Sequence, residues 1–297
     1  MVRSRREVVR DASVDKLVAA HSHDGPVEDL VDAIVGEWLE FAGDEPPVDP
    51  EIVASYLGAR VERRSTTEAG SVRWNGDHYL ITVRGDDPSV RQRFTLAHEV
   101  MHIPFLKAGA GVSRRDVLTD RDEGSSSAEE VLCDLGASKL LMPDTRMAPY
   151  RRLRPNVEMA MSIADQFEVS IEAAARRIVA LSDQPAALVV LEPKLKPVEA
   201  RGVKRSRLEP ALPGLAGAAP EPRLRVRYAV CSGFPYVPRD KSVDEDCRLS
   251  MIGDDEHLTF VGRTGLISEE LSVSARLLPV SIDGTMVQRV IAIMTFP

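Results

Sequence analysis

The run His98-Glu99-Val100-Met101-His102 sets the strongest limit on how this chain can fold. A spacing of i, i+4 stacks two imidazoles on one face of a helix, about one turn apart. Phe94-Thr95-Leu96-Ala97 leads into the motif with helix-compatible apolar residues, and the pattern predicts a helix from Ser89 to Phe105. Pro104 follows the second histidine closely and should end that helix early. The chain has six histidines, so a chance H-E-x-x-H has a probability of about one in a hundred. A lone histidine is more often a satisfied structural residue than a ligand. Two of six at ligand spacing around a glutamate favour a site.

Two imidazoles so placed can reach one Zn²⁺. Zinc supplies a bound water with a pKa pulled down to roughly 7, and Glu99 lies where it can act on that water as general base. A catalytic zinc needs a third protein ligand. The longer H-x-x-G-x-x-H extension is absent, because Phe105 and Ala108 stand where glycine and histidine would be required. Glu130 and Asp134, four apart on a helix predicted over Ala128–Leu141 and capped near Ser127, offer a ligand and a partner for a ligating histidine's other nitrogen. The competing reading is an acidic helix start in which Glu129 and Glu130 complement the dipole, and spacing alone does not choose between them. Mn²⁺ and Fe²⁺ also suit two histidines and a carboxylate.

The remaining composition narrows the class. With 297 residues and 43% hydrophobic content the chain can bury a sizeable core in two or three domains. No stretch of 18 apolar residues occurs, and the basic start Met1–Arg10 has no apolar core, so neither membrane span nor secretory signal is expected. Cys133, Cys231 and Cys247 form no C-x-x-C pair, and a reducing, cytoplasmic setting follows. Met1–Pro143 carries 17 Lys/Arg against 26 Asp/Glu, a balance of −9; Asp144–Pro297 carries 21 against 20, or +1. Neither half is a basic nucleic-acid module, and the acidic first half suits a basic partner.

Along the chain the pattern reads as α+β. Residues 1–23 lack apolar periodicity and read as a flexible tail. A domain at 24–143 opens on an amphipathic helix, with Val27, Leu30, Val31, Ile34, Val35, Trp38 and Leu39 in one stripe and Asp24 as its N-cap. A short helix over Pro50–Leu57 and strands over Ala59–Arg64 and Tyr79–Val83, punctuated by Asn75-Gly76, precede the motif helix. A polar loop at 107–127 is expected to act as a substrate lid. Residues 144–184 hold two helices with a turn at Phe167–Val169 and Ser170 capping the second, a helix-turn-helix-like segment. As a DNA reader it supplies only Arg176 and Arg177, so a structural support is favoured over a DNA contact. Residues 185–297 read as a sheet-rich domain containing a Pro-rich linker or loop at 193–222. His78 and Tyr79 are candidate oxyanion donors, against the plainer reading of an edge-strand histidine and a half-buried tyrosine.

Arg91-Gln92-Arg93-Phe94-Thr95-Leu96-Ala97-His98-Glu99-Val100-Met101-His102, then Glu130-x-x-Cys133-Asp134 and Leu140-Leu141-Met142-Pro143, resembles the ImmA/IrrE metallopeptidases over about Pro50–Leu181. The resemblance implies a mainly helical zincin-like domain with a small sheet, followed by the helix-turn-helix-like unit and a GAF-like sensor domain. It implies that His98, His102 and Glu130 bind zinc, that Glu99 is the general base and acid, and that Asp134 supports a ligand. It also implies a narrow protein substrate, a helix-turn-helix repressor whose cleavage derepresses stress-response or mobile-element genes. Cys133 stands where the family commonly has alanine and Gly136 where it has an aromatic, both read as packing changes. The alternatives are a DNA-associated or ligand-sensing regulator with a structural zinc, and a protein that sequesters its repressor uncut.

Overall fold

The computed structural model describes residues 11–109, 127–201, 220–253, 257–282 and 285–297. It is α+β, with helices and two sheets. The chain divides into two compact units, Met1–Pro149 with Ser162–Ala174, and Tyr150–Met161 with Ala175–Pro297. No helix among the described residues is long and apolar enough to cross a membrane.

The first unit begins with a helix where a tail is expected. α1 spans Ala12–Ala20 and buries Val14 and Leu17. Only two apolar side chains carry it, too few to show a period, so its tertiary contacts and its cap decide its existence. Asp11 Oδ1 accepts from the amides of Ser13 and Val14, both at 3.1 Å. α2 (Val27–Ala42) buries the expected apolar stripe as far as Trp38, with Leu39 half-buried, but Pro26, not Asp24, occupies its N-cap. α3 (Pro50–Tyr56) starts on Asp49, whose carboxylate accepts from Glu51 N at 2.9 Å.

β1 (Ala59–Arg64), β2 (Gly70–Trp74) and β3 (Tyr79–Arg84) form a sheet in the order β1-β3-β2. β3 runs parallel to β1 and antiparallel to β2, and Asn75-Gly76 turns the hairpin. Gly76 has φ 98°, a conformation that favours glycine. β2, with its glycine and serine, has weak strand character in sequence and exists as an edge strand held by β3.

α4 spans Ser89–Lys107 and carries the histidine motif. Pro104 does not end it. Proline removes one amide donor, but Ile103 and Phe105 on either side are fully buried and the Pro104 carbonyl still accepts from Ala108 N at 3.0 Å. α5 (Ala128–Leu141) runs antiparallel to α4, pairing Asp134 with His98 and Glu129 with His102, and Ser127 caps it through Glu130 N. Gly136 lies where a Cβ would be 2.8 Å from Met101 Cγ, so the small residue makes room for Met101 beneath the motif. Most of the loop expected as a lid, 110–126, lies outside the described residues. α6 (Asp144–Met147) follows.

α7 (Val157–Phe167) and α8 (Ile171–Leu181) form the expected pair, with Ser170 Oγ accepting from Ala173 N at 3.1 Å. The second unit centres on β4 (Ala186–Lys194), β5 (Arg223–Ser232), β6 (His257–Gly262), β7 (Leu271–Ile282) and β8 (Thr285–Thr295). The sheet is antiparallel in the order β5-β4-β8-β7-β6. β4 lies inside it with Ala186–Glu192 all buried, which explains its unbroken apolar run in place of alternation. Of the region read as a linker, 193–222, Pro193 and Lys194 complete β4, and 202–219 lie outside the described residues.

Candidate metal centre

α4 presents His98 and His102 one turn apart and buried, with their Nε2 atoms 3.1 Å from each other. α5 brings Glu130 against that pair. Its Oε2 is 3.4 Å from His98 Nε2 and its Oε1 is 3.4 Å from His102 Nε2. Ligand atoms about 2.1 Å from one tetrahedral zinc would be about 3.4 Å apart. Two nitrogens and a carboxylate at 3.1 to 3.4 Å therefore fit such an ion.

The outer ring nitrogens are held just as closely. His98 Nδ1 donates to Asp134 Oδ1 at 2.7 Å, and His102 Nδ1 donates to Glu129 Oε1 at 2.9 Å. A carboxylate can only accept when ionised, so each bond keeps a proton on Nδ1, and in the neutral ring that leaves the Nε2 lone pair facing inward. Burial opposes charge on His102, yet the bonds to Cys133, Glu129 and Glu130 push its pKa up to about 12. The same acidic surroundings would favour a metal cation between the rings.

His98, His102 and Cys133 also form a group that could hold a metal. Cys133 Sγ, however, lies 3.5 Å from His102 Nδ1, the nitrogen already bonded to Glu129, on the side of the ring away from the Nε2 pair. Burial, partly offset by His102, raises the thiol to about 11 and keeps it protonated. The Glu130 oxygens face both inward nitrogens and are the better third donor.

Glu99 is buried on α4 between the two histidines. Gly70, first residue of β2, approaches it so closely that a Cβ there would be 3.0 Å from both Cγ and Oε1 of Glu99. The edge strand thus meets the helix at Thr95 and Glu99, closest at the Thr95 methyl, and only a residue without a side chain permits it.

Not every expected residue joins this cluster. His78 and Tyr79 sit at the turn end of the β2–β3 hairpin, whereas Gly70 at the other end touches Glu99. Four residues of strand, about 13 Å, separate the two ends. His78 bonds to Asn75 and Asp77, and Tyr79 packs edge-on against Trp74 with ring centroids 4.9 Å apart. The oxyanion role expected of them does not fit this placement. On α8, Arg176 lies over the Tyr228 ring at 4.7 Å and Arg177 is buried, so neither reaches out toward a phosphate. His257 is exposed at the start of β6, where it bonds to Glu158 and Ser274.

Two contributors were not anticipated. Glu129 enters the sequence reading only in the alternative of an acidic helix start, although Glu129 and Cys133 repeat the four-residue spacing of Glu130 and Asp134 on a neighbouring stripe. Asp11 uses its second oxygen to accept from Ala128 N at 3.1 Å, fixing the first turn of α5. No periodic signal marked it.

Comparison with known proteins follows the same outline. Residues 54–179 match the family described as the IrrE N-terminal-like domain. The radiation response metalloprotease IrrE of Deinococcus radiodurans is 28% identical over 170 residues, 55% of this chain and 50% of that protein. Its namesake in Deinococcus deserti is 38% identical over 72 residues, 24% of this chain and 25% of that protein. The chain thus spans at most half the length of these relatives. A solved Mycobacterium tuberculosis transcriptional regulator shares the fold, with a TM-score of 0.54 over 96% of this chain and 79% of its own, at 10% identity. The segment 54–179, with its paired motifs on α4 and α5, is thus similar to the IrrE N-terminal-like domain of these metalloproteases.

Proposed function

We propose that the chain is a zinc-dependent endopeptidase in which His98, His102 and Glu130 hold the ion and Glu99 is the general base and acid. The observation that carries this reading is the triangle of two Nε2 atoms and one carboxylate, with a buried glutamate between the histidines. When bound, zinc would supply Lewis acidity and lower the pKa of water to roughly 7; Mn²⁺ or Fe²⁺ would suit the same donors. Glu99 would take a proton from the water that attacks a peptide carbonyl and return it to the departing amine. Asp134 and Glu129 would hold the two imidazoles in the tautomer that leaves Nε2 free.

The likeness of residues 54–179 to the IrrE N-terminal-like domain supports the finer reading: a zincin-like domain in the cytoplasm cutting a helix-turn-helix repressor, with the C-terminal sheet as a GAF-like sensor or docking domain. The regulator reading draws no support from α8, whose two arginines are engaged within the protein. The test is metal content of the purified chain beside Glu130→Ala, then proteolysis by Glu99→Gln. About one zinc per chain is expected, lost in Glu130→Ala and kept in Glu99→Gln, with cleavage of the repressor abolished in both. Full activity of Glu99→Gln, or a wild type that takes up no metal, would sink the mechanism.

A further inference from the structure

The unit that holds the metal centre also carries an apolar groove that the centre does not use. Phe41 near the end of α2 and Tyr56 at the end of α3 stack with ring centroids 4.5 Å apart, yet are 58% and 43% exposed. With Ile52, itself 42% exposed, and with Glu51 and Ser55, they line an open groove of about 390 Å³. Exposed aromatics beside an aliphatic side chain are the usual anchors of a protein interface.

The charge around the groove identifies its occupant. Between Lys16 and Arg60 the chain has ten acidic residues and no lysine or arginine. Described bases offset four of them: Lys139 engages Asp32, Arg146 engages Asp44 and Glu45, and Arg63 engages Glu51. Glu37 and Glu40, both exposed near the end of α2 beside Phe41, are not among those four. Glu37 Oε1 instead accepts from the Tyr56 hydroxyl at 3.0 Å, so an acid and an aromatic share one rim. A second copy pairing through this face would set acid against acid. Nucleic acid and anionic lipid are repelled for the same reason.

We propose that the α2–α3 face docks a cationic amphipathic helix of a partner protein. Its apolar stripe would seat against Phe41, Ile52 and Tyr56, and its lysines or arginines would lie against Glu37 and Glu40. This holds whether or not the partner is cut, and it needs no metal.

The probe is a fluorescein-labelled 16-residue peptide with leucines at helical i, i+3, i+4 spacing and lysines elsewhere, titrated with the full chain and read by anisotropy. Micromolar binding is expected, weakening about tenfold from low to physiological salt. Phe41→Ala/Tyr56→Ala should weaken it by about tenfold or more, as should Glu40→Lys. A peptide of equal composition with the leucine stripe scrambled should lose as much. If the double variant fails to fold, Glu40→Lys, an exposed change, carries the test. Absence of binding, or equal affinity for the scrambled peptide, overturns the proposal, the latter by showing diffuse charge attraction. A wild-type dimer in sedimentation that Phe41→Ala/Tyr56→Ala dissolves would also overturn it, giving the face to a second copy.

Discussion

Replacing Asp11 by alanine removes a carboxylate that serves two helices. Its Oδ1 accepts from Ser13 N and Val14 N at the start of α1, and its Oδ2 accepts from Ala128 N at the start of α5. Loss of an N-cap costs about 1 kcal/mol, and leaving the partly buried Ala128 amide without its acceptor costs about 1 kcal/mol more. The sum, about 2 kcal/mol, should lower the melting temperature by about 4–8 °C for a unit of this size. Both tryptophans, Trp38 and Trp74, lie in the first unit, so tryptophan fluorescence follows its unfolding alone. Asp11→Asn offers one acceptor oxygen where the carboxylate has two, and should lose about half as much. Glu129 and Glu130 sit in the turn that Asp11 pins, so about 1 kcal/mol of loosening there should weaken zinc retention about fivefold. The pH dependence has a definite sign. Burial works against ionisation, but the bonds to Ser13, Val14 and Ala128 hold the Asp11 carboxyl below its ordinary value. Its contribution is therefore complete above the unfolded value of about 3.9 and is lost as pH falls through the lower folded value. Wild type and Asp11→Ala should differ fully at pH 7 and converge below about pH 4. A melting temperature within about 1 °C of wild type at pH 7 would refute the double-cap argument.

Glu129→Gln and Asp134→Asn should each lower zinc affinity by about 10- to 100-fold in chelator competition, because each would orient an imidazole proposed as a zinc ligand. Unchanged retention in both would remove their assigned role. Gly136→Ala should destabilise the first unit by about 1–3 kcal/mol through collision with Met101, and Met101→Ala should relieve much of that cost in the double variant. Simple additivity of the two would show that the collision is not its source. Random duplex should bind weakly, with a shallow salt dependence that Arg176→Gln leaves unchanged. A log–log salt slope steeper than about −3 would revive the DNA-associated reading.

What could be read in advance follows from what a single helix determines. The pairs His98/His102 and Glu130/Asp134 each lie on one helix, where the 3.6-residue period alone sets their relation. Which member of one helix meets which member of the other depends on how α4 and α5 cross, and no spacing within either helix states that. Glu129 and Glu130 differ by about 100° around α5, and rotation of that helix sends one to the outer nitrogen of His102 and the other between the rings. α1 and β2 were missed for a related reason. Each is short, each shows little periodicity, and each is held by contacts made far away in the chain, Asp11 to Ala128 and Gly70 to Glu99. Pro104 misled in the opposite direction, because a local rule that ends most helices yields where the residues on both sides are fully buried. The elements least legible in the sequence are thus those that brace the metal centre from outside. Substitutions at Asp11 and Gly70, remote from the histidine motif in sequence, should accordingly disturb it more than changes at His78 or Tyr79, which lie nearer in sequence but at the far end of the hairpin.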